Sequence, residues 1–155
     1  MPQIHRILHP TDFSERSETA WAYAKTLAAK FGAEIHLLHA MQDPVAVLPE
    51  ASVAVTAPAA NLPELIQAAE DGLKRFEAID PGRIVNRVVL HGPTADEVVR
   101  YAKDSEADLI VIGTHGRTGL AHVLLGSVAE KIVRKSPCAV LTVRPHGHGA
   151  DDAIA

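Results

Sequence analysis

Apolar runs and amphipathic stretches alternate along the chain from one end to the other. The segment Ile4 to His9 predicts a short first strand, and Pro10-Thr11-Asp12-Phe13-Ser14 breaks it as a turn. Asp12 or Ser14 can cap the helix that follows. Ala20, Ala24, Leu27, Ala28 and Phe31 recur at helical spacing and make one face of that helix, and Gly32 stands where a helix usually ends. Ile35 to Ala40 predicts a second strand. Residues 41 to about 62 have no clear period and read as a long loop. Pro63 suits the first turn of a second helix, whose buried face would carry Leu65, Ile66, Ala69, Leu73 and Phe76. Pro81-Gly82 turns the chain into a third strand, Ile84 to Leu90. After His91-Gly92-Pro93, the spacing of Thr94 and Glu97 is that of a capping box, for a helix running to about Ser105. Asp108 precedes Leu109-Ile110-Val111-Ile112, which is uniformly apolar, as a central parallel strand should be. Leu124, Leu125, Val128 and Ile132 mark a last helix, Pro137 stops it, and Cys138 to Val143 is the last strand.

This β-α-β-α-β-α-β-α-β pattern predicts an α/β fold, an open parallel sheet with helices on both faces. Residues 1–144 form one domain in this reading, and the polar, glycine-bearing residues 145–155 form a frayed, flexible tail. In such sheets ligands bind at the carboxyl ends of strands, where the strand order reverses. The ends of the first, second and fourth strands are therefore the places where chemistry is expected.

Composition narrows the picture. A chain of 155 residues fits one domain, and with 47% apolar but only 4% aromatic residues its core must be filled by Val, Leu, Ile and Ala. The net charge of −4, without a basic stripe, argues against a nucleic-acid partner. Cys138 is the single cysteine, so no internal disulfide can form, which fits a reducing compartment. The N-terminus lacks the basic and apolar blocks of a signal peptide, and no stretch is apolar for long enough to span a bilayer. The expected location is the cytoplasm, with no membrane partner.

The fourth strand runs directly into Gly113-Thr114-His115-Gly116-Arg117-Thr118-Gly119, and Gly126-Ser127 opens the last helix. Glycines let a backbone turn sharply and leave no side chain between its amides and a ligand. Amides at a helix N-terminus lack internal partners and carry partial positive charge, so phosphate is their natural guest. Thr118 and Ser127 add hydroxyls, and Arg117 adds a full charge. The Gly-x4-Gly-Lys-Ser/Thr loop of standard phosphate-loop NTPases does not occur, nor does Gly-x-Gly-x-x-Gly after the first strand.

The segment Gly113-Thr114-His115-Gly116 through Gly126-Ser127 resembles the ATP-binding signature of the universal stress protein family. The opening turn from His9 to Ser14, the second-strand end Leu37-Leu38-His39-Ala40 and the closing Pro137-Cys138-Ala139-Val140-Leu141-Thr142-Val143 are similar to that family's elements as well. The resemblance implies a five-stranded sheet in the order 3-2-1-4-5 of the adenine nucleotide alpha-hydrolase-like type, and a homodimer paired through the last strand, Cys138–Val143. It implies ATP as ligand, with Mg2+ or Mn2+ accompanying the nucleotide. Carried over by position, Pro10, Thr11 and Asp12 would border the adenosine, and the backbone of Ala40 would meet adenine. Gly113, Thr114, His115, Gly116, Arg117, Thr118 and Gly119 would wrap ribose and phosphates, and Gly126, Ser127, Val128 and Ala129 would close the phosphate site. Ala40 departs from the valine common there, and Gly119 from a larger polar residue.

Other residues weigh less. Asp12 could hold a ribose hydroxyl or a hydrated metal ion, besides capping. His5, His9, His36 and His39 lie in or beside strands without a metal-ligand spacing, and His146 and His148 fall in the tail. Cys138 reads as a small buried hydrophobe, Trp21 as core and Tyr23 as surface. Function follows as an ATP-binding regulatory or signalling module of the stress response with slow hydrolysis at most. A nucleotide-independent chaperone or interaction protein is one alternative. A genuine ATPase or transferase is another, although no residue evidently orients an attacking water.

Overall fold

The computed structural model describes residues 3–42, 62–76, 83–114 and 125–144. The expected loop at 41 to 62 and the tail at 145–155 lie largely or wholly outside them. Five strands and four helices alternate: β1 (Arg6–Pro10), α1 (Glu15–Phe31), β2 (Glu34–Met41), α2 (Leu62–Lys74), β3 (Ile84–His91), α3 (Thr94–Asp104), β4 (Leu109–Gly113), α4 (Ser127–Lys135) and β5 (Ala139–Val143). All strand pairs are parallel. The sheet order is β3-β2-β1-β4-β5, which is the expected one.

Side-chain alternation sorts the core into two halves. Ile7, Ile35, Leu37 and Val111 point to the face covered by α1 and α2, where Ala20, Trp21, Ala24 and Leu73 meet them. Leu8, Leu38, Ile110 and Ile112 point to the opposite face, against Val98 and Ala102 of α3 and Ile132 of α4. Small alanines on α1 let that helix lie close over the two central strands. Asp108 ties those strands together at their lower end. Its Oδ2 accepts the backbone N–H groups of His5 and Arg6 at 2.8 and 2.9 Å, and its own N–H donates to the Arg6 carbonyl at 2.9 Å.

Several local expectations shift. Ser14 caps α1, accepting from the Ser17 N–H, and Gly32 closes it in the left-handed region at φ 70°. Phe31 is 48% exposed and Leu65 is 49% exposed, so neither joins the core face assigned to it. Each lies in a terminal turn of its helix. The capping box at Thr94 does not form. Pro93 occupies the cap position without a side-chain bond, Thr94 is already helical, and Glu97 pairs with Arg100 instead. The last strand starts at Ala139, because Cys138 is held in a turn: its N–H donates to Ser136 Oγ at 3.2 Å. Pro10 fits at the end of a central strand because β1 pairs with β4 only at Ile7 and Leu8.

Candidate functional site

The chain leaves β1 toward α1 on one face of the sheet and leaves β4 toward α4 on the other. Because β1 and β4 are neighbours, their carboxyl ends part and leave a crevice, the switch point at which ligands of open α/β sheets bind. Pro10, Thr11 and Asp12 stand on one lip, and Gly113 and Thr114 on the other. Ala40 lies one strand over, near the end of β2.

The β1–α1 turn is held by a dense set of bonds. The Thr11 N–H donates to the Leu38 carbonyl at 2.8 Å, continuing the ladder past Pro10. The His39 ring donates through Nδ1 to the Thr11 carbonyl at 2.8 Å and lies against Phe13 at a ring distance of 4.5 Å. Phe13 sits at φ 63°, a left-handed conformation unusual for a bulky residue. Asp12 Oδ1 accepts from the Ser14 N–H at 3.0 Å and from Ser14 Oγ at 2.5 Å. A carboxylate has more acceptor sites than these two bonds use, so the Asp12 side chain keeps capacity for a ligand hydroxyl. Asp12 and Ser14 thus divide the expected capping role: Ser14 caps, and Asp12 orients Ser14.

Beneath the turn lies a network that the sequence did not single out. His9 is fully buried and donates through Nδ1 to the Val111 carbonyl of β4 at 2.8 Å. Its Nε2 lies 3.5 Å from Ser17 Oγ, which donates to Thr11 Oγ1 at 2.7 Å. Thr11 Oγ1 in turn accepts the Phe13 N–H at 3.0 Å. Burial lowers the His9 pKa to about 4, against the opposing pull of the Val111 carbonyl and Asp12, so the ring is neutral at pH 7. The one available signal was Ser17 facing inward one turn after its cap.

On the other lip, the Thr114 N–H donates to the Val143 carbonyl at 3.0 Å, and the Gly126 N–H donates to the Thr114 carbonyl at 2.6 Å. These bonds bring both ends of the glycine segment together, at the end of β4 and the start of α4. His115, Gly116, Arg117, Thr118 and Gly119 lie outside the described residues. Gly126 caps α4 with no side-chain bond, and the first bond back to it comes from the Glu130 N–H at 2.8 Å. The amides of Ser127, Val128 and Ala129 precede that bond and have no intrahelical acceptor. The Ser127 side chain is exposed, Val128 half-buried and Ala129 buried. Gly113 has a role besides any ligand contact: a Cβ there would stand 3.1 Å from the Arg16 carbonyl oxygen, so its absence lets α1 approach β4.

The residues at the crevice suit a nucleotide. They offer helix-end amides without an intrahelical acceptor, an exposed hydroxyl at Ser127, and a carboxylate at Asp12 after the neighbouring strand end. Among the described residues no three His, Cys, Asp or Glu side chains converge to hold a metal ion by themselves.

Comparison with known proteins agrees with this geometry. The model of the universal stress protein family matches residues 3–144. The universal stress protein MJ0531 of Methanocaldococcus jannaschii is 35% identical over 146 residues, covering 90% of this chain and 81% of that protein. MJ0577 of the same organism is 31% identical, covering 90% and 94%. A solved structure of MJ0577 superposes with a TM-score of 0.74 at 29% identity over 94% of this chain and 99% of that one. A universal stress protein solved in complex with cAMP superposes with a TM-score of 0.60 at 27% identity over 91% and 97%. By the span of the family match and the identity to its curated members, the chain belongs to the universal stress protein family.

Proposed function

We propose that this chain binds ATP in the crevice between the ends of β1 and β4 and serves as a nucleotide-dependent regulatory or signalling module of the stress response. The observation that carries the reading is the clamp between Thr114 and Gly126, which sets the start of α4 at the end of β4 with its first amides unbonded within the helix. Phosphates would lie on those amides and on the Ser127 hydroxyl, with Gly116, Arg117, Thr118, Gly119 and His115 wrapping them from the intervening segment. Adenosine would lie against Pro10, Thr11 and Ala40, with Asp12 accepting from a ribose hydroxyl. A relative of the same fold solved with cAMP supports an adenine nucleotide as the ligand class. ATP would carry Mg2+ or Mn2+ with it. Among the described residues of the crevice, His9 is buried in its own network, and the spare acceptor capacity of Asp12 is assigned to the ribose in this reading. In this reading hydrolysis is slow at most. A cytoplasmic location and a homodimer paired through β5 complete the reading.

Calorimetric titration with ATP and Mg2+ tests it, beside a Gly116→Val variant whose side chain would obstruct the phosphate path. Saturable binding near micromolar, about −8 kcal/mol, is expected for the parent and should vanish in a folded variant. A parent that takes up no ATP would leave the glycine segment a structural turn and favour the nucleotide-independent interaction protein.

A further inference from the structure

A second concavity lies between α1 and the end of α2, with Phe13 of the β1–α1 turn on one side. α1 packs over β4 and β1, and α2 over β3 and β2. Trp21 of α1 meets Phe76, which lies just past the end of α2, with rings 5.3 Å apart at 88°, and Phe13 of the β1–α1 turn lies 6.3 Å from Phe76. These are three of the chain's six aromatic residues, gathered in a protein otherwise filled by aliphatics. Between the helices they leave a cleft of about 370 Å³, floored by the three rings and by Gly72. That volume is within the ~300–1,000 Å³ usual for small-molecule sites. A Cβ at position 72 would come within 2.7 Å of the Phe13 ring, so the glycine holds this floor in its present shape.

The rim is charged and unbalanced. Lys25 and Arg75 stand on it with Glu18. The Lys25 ammonium lies over the Trp21 ring, 5.7 Å from its centroid, and forms no ion pair among the described residues. Neither Arg75 nor Glu18 forms an ion pair among the described residues, in contrast with Lys74, which is bonded to Asp71 at 3.0 Å. Glu18 and Lys25 are seven residues apart on one helix face, roughly 10 Å along its axis. An aromatic floor between two cations and one carboxylate selects a flat ring with an anionic group on one side and a hydrogen-bond donor on the other. The ring would pack on the aromatic edges that line the cleft, its anion would meet Lys25 and Arg75, and its donor would meet Glu18.

We infer that the α1–α2 cleft is a ligand site, separate from the strand-end crevice, for a planar aromatic monoanion of the hydroxyaryl or heteroaryl carboxylate class. The inference does not depend on ATP binding. Trp21 is the only tryptophan, so a proton–nitrogen NMR spectrum contains one indole N–H peak and needs no assignment. Titration with 6-hydroxy-2-naphthoate should displace that peak saturably, with a dissociation constant below 1 millimolar, on the order of ligand efficiencies for fragments this size. The Lys25→Met/Arg75→Met double variant, altered only at the cleft rim, should keep the dispersed native spectrum and bind at least about 10-fold more weakly, as loss of the charge-assisted bonds requires. The cationic analogue 6-hydroxy-2-naphthylmethylammonium should bind the parent more weakly by a similar factor. The proposal is overturned by an unmoved indole peak at millimolar naphthoate, by equal affinity for the two analogues, or by full affinity in the double variant. Competitive displacement of the naphthoate by ATP would also overturn it, because the probe would then occupy the strand-end crevice.

Discussion

At the scale of single residues, burial and close approach decide what the side chains near the crevice do. His9 is neutral because it is enclosed by Trp21, Phe76 and the sheet, with its pKa lowered from 6.5 to about 4 chiefly by burial. The unfolded chain binds a proton at this residue below pH 6.5, and the folded chain does not until about pH 4. The stability that His9 supplies is thus whole above pH 6.5 and is lost as pH falls toward 4, by roughly 3 kcal/mol for a shift of this size. Urea unfolding of parent and His9→Asn between pH 7 and 4.5 should show a steeper loss in the parent; parallel profiles would contradict the assignment. Gly113 is a second case. Its Cβ-free approach to the Arg16 carbonyl means that Gly113→Ala must push backbone against backbone. We expect a loss of about 1–3 kcal/mol in urea unfolding without any nucleotide present. An unchanged midpoint would mean that α1 yields freely and that the glycine serves the ligand alone.

At the scale of elements, the β1–α1 turn is the best-determined piece. Ser14 caps α1, Asp12 bonds Ser14, and His39 bonds Thr11, so the turn is tied down by its own hydrogen bonds without a ligand. Ser14→Ala removes the cap and frees Asp12 together. The expected cost is about 1 kcal/mol, a fall of about 2–4 °C in melting temperature for a chain of this length, measurable by calorimetry. No fall would show that the turn is held by Thr11 and His39 alone. α4 behaves differently. Its cap is a glycine without a side chain to offer, so its first amides are left for another partner. Gly126→Ser would supply a competing hydroxyl, and under the ATP proposal it should weaken ATP binding while leaving the melting temperature of the free protein the same or higher.

At the scale of the whole molecule, order β3-β2-β1-β4-β5 leaves two edges. β5 exposes Ala139 and partly exposes Val140, Leu141 and Thr142, with Val133 of α4 exposed at 47% nearby in the chain. An apolar edge of this kind is satisfied by the same strand of a second copy under two-fold symmetry. Under the proposed homodimer, sedimentation equilibrium at micromolar concentration should give twice the chain mass of 16.5 kDa, and Leu141→Lys should give the monomer. A parent that sediments as a monomer would remove the dimer from the reading. No helix among the described residues is long and apolar enough to cross a membrane.

The sequence alone determined what depends on near neighbours. Residues two, three and four apart share a strand face or a helix face, so the order of elements, the fully buried run Leu109 to Ile112 and the break at Gly113 were all legible. The glycine pattern carried the family and, through it, the sheet order. Tertiary structure decided what depends on partners far along the chain. His9 finds Val111 about a hundred residues on and becomes neutral. Gly113 is needed by Arg16, and Phe31 and Leu65 stay exposed although their spacing puts them on the buried face. Phe13, Trp21 and Phe76 enclose a cleft that no spacing announces, because its walls belong to helices joined only through the fold. Periodicity reports which way a side chain points. What it meets there is set by strand order, register and crossover, which no local window contains.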